Sequence, residues 1–130
     1  MKKILIVMLA AVLGLSLAGC QSNGKSDATV KVQVVDKSGV PQSGETVYMF
    51  KATKWDQGDS FREVFYKDKS AVTESDGIAT FELQETLDLE IIDNQTTLYF
   101  ATFEANGETI KGYTAVTVKK GETKEATIRQ

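Results

Sequence analysis

The sequence predicts an all-β fold: one antiparallel sandwich of about seven strands, preceded by a signal helix. Three observations point there. Short runs rich in Val, Thr, Tyr, Phe and Ile recur through residues 29–130, several alternating apolar with polar side chains. Clusters of Gly, Asn, Asp and Ser separate these runs at intervals typical of strands and turns. Long amphipathic helix patterns are nearly absent, and the 102 positions contain no repeat, low-complexity tract or second linker. That length suits one domain with one core.

The signal comes first. Lys2 and Lys3 precede an apolar stretch from Ile4 to Leu17, after which small residues follow, the layout of a secretory signal over residues 1–19. Fourteen helical residues reach roughly 21 Å, short of the roughly 30 Å hydrocarbon core, so the stretch reads as a signal and not a permanent span. The small residues end at Leu17-Ala18-Gly19-Cys20, which contains the only cysteine of the chain. This run resembles the bacterial lipobox. The resemblance implies cleavage before Cys20, a diacylglycerol on its sulfur and, in many bacteria, a further acyl chain on the new amino group. Two or three acyl chains make attachment to a membrane effectively stable. Gln21 is not the aspartate associated with inner-membrane retention, which points to the outer membrane where the cell has one.

Residues 20–28 read as the lipidated cysteine and a flexible tether. Gln21 to Asp27 is polar and small, with a mean reach of roughly 15 Å. The sandwich then occupies residues 29–130. Its first strand is expected over Thr29–Val35, where Val30, Val32 and Val34 share a face. Asp36-Lys37-Ser38-Gly39 ends it, and Pro41 and Gly44 keep the connection irregular. Glu45 to Ala52, apolar on both faces through Val47, Tyr48, Met49 and Phe50, predicts a central strand. A polar loop over Lys54 to Ser60 precedes expected strands at Phe61–Tyr66 and Ser70–Thr73. Asp76-Gly77 is the strongest turn signal, and Ala79, Phe81 and Leu83 align on one face of the strand after it. Glu85 to Asn94 alternates well enough for a strand, with helix as the alternative. Leu98–Ala105 and Thr109–Val118 flank an Asn106-Gly107 turn, and Lys119 to Glu122 turns the chain into Ala126–Arg129.

Two stretches, Val32 to Val47 and Thr73 to Phe81, carry a second resemblance. Val-x-Val followed by Asp36-x-x-Gly39-x-Pro41, a glycine at 44, and Thr73-x-x-Asp76-Gly77 before a core phenylalanine together resemble the prealbumin-like, or carboxypeptidase-regulatory-like, β-sandwich, over about half of the domain. The resemblance implies turn roles for Gly39, Pro41, Gly44 and Gly77, and core roles for Val32, Val34, Val47 and Phe81. Enzymes similar to this superfamily, transthyretin-like hydrolases and intradiol dioxygenases, work through histidines, and this chain has none. Pilin-like relatives join a lysine near the end of the first strand to an asparagine near the end of the last. Here Val34 stands at the first position, and Ala126 to Gln130 holds no asparagine.

The composition narrows the function further. Without residues 1–19 the chain keeps 13 of its 15 basic residues against 18 acidic ones, a net charge of about −5. With no clustered Lys and Arg, nucleic acid is not an expected partner. A lone acylated cysteine leaves no thiol for a disulfide, a zinc cluster or a redox pair. Glu74, Asp76, Asp88, Glu90 and Asp93 offer oxygens of the kind calcium takes, but their spacing matches no EF-hand loop, and no metal or cofactor is expected. No catalytic set is selected. Among the aromatics, Phe61 and Phe65 are expected in the core, and Trp55, in the loop region with Tyr66 nearby, is the candidate contact residue. The expected function is that of a non-enzymatic, lipid-anchored protein of the bacterial cell envelope. Its domain would bind, or act as an accessory to, a protein or glycan partner, with the membrane held through Cys20. The alternatives are a glycan-cleaving enzyme using carboxylates alone and a purely structural spacer.

Overall fold

A computed structural model of the chain describes residues 27–84 and 95–130. The expected signal helix, Cys20, most of the tether and the expected strand over 85–94 lie outside the described residues. Seven strands appear among those described: β1 (Ala28–Val35), β2 (Thr46–Lys51), β3 (Lys69–Val72), β4 (Ile78–Leu83), β5 (Gln95–Phe103), β6 (Ile110–Lys119) and β7 (Thr123–Arg129). They form a β-sandwich of two sheets, one ordered β4-β1-β7 and the other β3-β2-β5-β6. Pairing is antiparallel except between β1 and β7, which run parallel with Thr29 opposite Thr123 and Val35 opposite Arg129. Parallel neighbours need a long crossover, and here the rest of the domain supplies it.

The strands form where alternation lets one face be buried. Val30, Val32 and Val34 of β1 are fully buried beside Ala79, Phe81 and Leu83 of β4 and Ile128 of β7. Against them the second sheet sets Val47 and Met49, Leu98 and Phe100, and Val116 and Val118. Phe81 and Phe100 meet edge to face across the two sheets, with centroids 5.0 Å apart. Full burial of side chains of this size stabilises the fold by ~1.5–3 kcal/mol each, before the entropy of ordering them is subtracted.

The two stretches that carried the family resemblance are joined to each other. Asp36 Oδ1 accepts the N–H groups of Ser38 (2.8 Å) and Val40 (2.9 Å), closing the turn after β1. Buried Thr73 donates its hydroxyl to the Gln42 carbonyl (2.6 Å) and accepts the Glu45 N–H (2.9 Å), so the loop before β2 is held to the end of β3. Asp76 Oδ1 accepts the Ile78 N–H at 3.0 Å. Gly77 sits at φ +78°, and a Cβ there would lie 2.8 Å from Pro41 Cβ and 3.0 Å from the Gln42 nitrogen. Both the left-handed backbone and the close approach therefore require glycine.

The segment between β2 and β3 departs from the expected loop and strand. It forms a one-turn helix, α1 (Ala52–Trp55), and two 3-10 turns at Asp59–Phe61 and Val64–Tyr66. The physical reason lies on β2 and β5. Their outward side chains Tyr48, Phe50, Tyr99, Ala101 and Phe103 are also apolar or aromatic, so that face needs a cover. A segment lying across a sheet face cannot join the ladder at a sheet edge, and Phe61 to Tyr66 accordingly bend instead of extending. Asp68 closes the insertion, accepting the Lys51 N–H (2.9 Å) on one oxygen and Lys54 Nζ (3.1 Å) on the other.

Gly77→Ala is expected to lower stability by at least about 2 kcal/mol, from the left-handed φ and the contact with Pro41. Gly39→Ala shares the positive φ but meets nothing within 4 Å, so it should cost only ~1–2 kcal/mol. Urea unfolding of the two variants checks the difference.

Candidate functional site

The cover over the outer sheet face is a second, smaller core. Trp55, 3% exposed, stacks on Tyr99 with centroids 4.9 Å apart and planes 5° from parallel, and it meets Phe50 edge to face at 5.3 Å. Arg62 lies over the indole at 4.9 Å and donates from Nε to the Trp55 carbonyl at 2.9 Å. Trp55 is thus corrected from candidate contact residue to core residue, because the apolar outer face of β2 and β5 takes the largest nearby ring. The expectation for Phe65 reverses as well. It stands 81% exposed on the second 3-10 turn, touching only the edge of Tyr66 among aromatic rings, at 5.0 Å, while Phe61 packs half-buried on Tyr66 at 5.1 Å.

Val64, the residue before Phe65, helps to line a groove of about 340 Å³ whose other walls are Glu45, Tyr48, Phe103, Glu104 and Lys111, with Gly44 and Gly107 among the backbone contributors. Two local features shape it. In the β5–β6 pairing the register shifts between Thr102 and Phe103, which face Gly112 and Ile110, so Lys111 is an extra residue in a bulge. Bulges re-aim side chains, and Lys111 Nζ reaches Glu45 Oε1 at 3.1 Å and Oε2 at 3.4 Å. The second feature is the Asn106-Gly107 turn. Its Gly107, at φ +73°, lets Val64 approach to where a Cβ would meet Val64 Cγ2 at 2.8 Å, and the Val64 N–H donates to the Gly107 carbonyl at 3.0 Å. Tyr48 and Phe103 meet edge to face at 5.6 Å along the groove.

The groove sits at the end of the sandwich away from the N-terminal side. β1 begins at Ala28 opposite Leu83, beside the β6–β7 turn, whose Gly121 donates to the Asp27 carbonyl. The groove residues instead come from the start of β2, the end of β5 and the start of β6. A strand of β1's length separates the two ends by roughly 25 Å. A second depression of about 330 Å³ lies on the outer face of the three-stranded sheet between Lys31, Gln33, Ile78, Glu125, Ala126 and Thr127, and it has no aromatic wall.

Among the described residues, no group of three or more Cys, Asp or Glu side chains converges to hold a metal ion. Asp88, Glu90 and Asp93 lie outside those residues, as does Cys20. No described helix is long and apolar enough to cross a membrane. Sequence reasoning did not single out Glu45, Glu104 or Lys111, since a bulge and a pairing partner 66 residues away leave no local pattern. The Asn-Gly turn was the one available signal.

Comparison with protein-family profiles finds no match, and comparison with curated proteins finds none either. Among solved structures, the fold is similar to part of the Bacillus anthracis TIE protein, with 13% identity and a TM-score of 0.47, covering 81% of this chain. The chain spans 17% of the length of that protein. A likeness of this strength transfers neither a ligand nor an activity.

Trp55→Ala is expected to destabilise the domain by ~3–5 kcal/mol, whereas Phe65→Ala should stay within about 0.5 kcal/mol of the parent. Parallel thermal and denaturant unfolding of the two variants checks the inversion.

Proposed function

We propose that the protein is a non-enzymatic, lipid-anchored module of the bacterial cell envelope, with a prealbumin-like sandwich that binds a protein or glycan partner. The observation that carries this reading is an 81% exposed phenylalanine, Phe65, adjacent in the chain to Val64, which lines a polar groove at the end of the domain opposite residue 27. An exposed aromatic residue with most of its surface open to solvent, close in the chain to a wall of a groove with fixed polar groups, is the composition of a contact surface. Leu17-Ala18-Gly19-Cys20 supports the anchor, with acylation at Cys20 and localisation outside the cytoplasm. An anchor at residue 20 and a groove at the far end of the domain would leave the binding surface clear of the point of attachment.

Glycan cleavage by carboxylates is the second reading, favoured only by the presence of both Glu45 and Glu104 along one groove. Such chemistry needs one acid in an apolar enclosure that keeps its proton. Glu45 is ion-paired with Lys111 and Glu104 is exposed, which favours binding over cleavage.

In cell fractionation, Cys20→Ser should move the protein from the membrane to the soluble fraction; a variant that stays with the membrane would refute the anchor. Separately, the detergent-solubilised chain should be retained on isolated envelope material, and Phe65→Ala should reduce that retention several-fold. Equal retention of the two would remove the binding surface.

A further inference from the structure

Resting on the binding-module reading above, we infer that the groove between Glu45, Glu104 and Lys111 is a subsite for a neutral glycan, with a sugar ring seated against Tyr48 and Phe103 and a neighbouring ring on Phe65. Its volume of about 340 Å³ lies at the low end of the ~300–1,000 Å³ usual for small-molecule sites, so it suits a small polar unit and not a folded partner.

The charge and chemistry of the walls select the class. Two carboxylates face one ammonium, which disfavours phosphate, sulfate and acidic sugars. The lining is dominated by polar atoms, which disfavours an acyl chain or an apolar peptide side chain. A hydroxyl, by contrast, both donates and accepts. The Glu45–Lys111 pair is fixed at 3.1 Å with both side chains about one-quarter exposed. It therefore sets an acceptor and a donor side by side, the spacing that adjacent sugar hydroxyls satisfy together. Glu104 adds acceptors on the same groove. The aromatic residues complete the match, because the C–H face of a pyranose is apolar and packs on a ring while its edge hydroxyls reach polar groups. Phe65, 81% exposed, follows Val64, a wall of the groove, and so lies within one residue of it. The bulge at Lys111 and the Gly107–Val64 contact hold these groups on strand ends and a tight turn, so little ordering is required when a ligand arrives.

The test uses the full chain in detergent micelles, titrated separately with cellotetraose, maltotetraose and the tetramer of N-acetylglucosamine, and read by amide NMR at Gly44 and Gly107. At least one sugar should give saturable shifts at both amides. Glu104→Gln and Lys111→Met should each raise its Kd about tenfold, the loss of one good polar contact. Phe65→Ala, which leaves the groove walls intact, should weaken the tetramer several-fold. No saturable shift with any of the three sugars overturns the inference, as do shifts that persist unchanged in both groove variants. An unstructured peptide that shifts these amides while the sugars do not also overturns it, in favour of a protein ligand. In any of these failures, Phe65→Ala still losing retention on envelope material keeps the binding-module reading standing, so the two readings fail separately.

Discussion

β2 and β5 carry apolar side chains on both faces, and most of the molecule's organisation follows from covering each of them. The inner face, with Val47, Met49, Leu98 and Phe100, is covered by the three-stranded sheet and forms the main core. The outer face, with Tyr48, Phe50, Tyr99 and Phe103, meets no second sheet among the described residues. Water would solvate that aromatic surface poorly, and contiguous exposed patches of such size are rare on stable domains. The chain answers with residues 52–68, a short helix and two 3-10 turns folded across the sheet, with Trp55 as their central side chain and Asp68 as their clasp.

That cover also makes the candidate site. Once Trp55 occupies the space over Tyr99, the remaining apolar residues of the insertion cannot all be buried with it. Phe61 is left half-buried on Tyr66, and Phe65 is turned outward. Val64 then abuts Gly107 at the β5–β6 turn and becomes one wall of the groove, while the bulge at Lys111 supplies the ion pair of the opposite side. A single packing demand on the outer face thus sets the fold's departure from a plain sandwich, the exposure of Phe65, and the position of Val64 in the groove wall. The site lies on strand ends and turns supported by a buried layer, the usual arrangement for a rigid recognition surface on a β scaffold.

The regular strands were legible because period-two alternation is a local property. Val30, Val32 and Val34, and likewise Ala79, Phe81 and Leu83, can be placed on one face from spacing alone, and all of them are buried. The Asp36 and Asp76-Gly77 turns were legible for a similar reason, since an aspartate that bonds its own following N–H groups and a glycine at positive φ act within a few residues. Apolar residues on both faces of Val47 to Phe50 already implied a central strand. What that pattern could not say was which segment would cover its second face.

By itself, then, the sequence determined the two-sheet class, the turn chemistry and the apolar strand faces, because each depends on residues close together in the chain. Only the tertiary structure decided that Trp55 is buried and Phe65 exposed, that β1 and β7 run side by side in parallel, and that Glu45 meets Lys111 across 66 positions. These outcomes turn on competition for one patch of surface and on a register shift between distant strands. Both are settled by packing the whole chain, so no short window of residues encodes them.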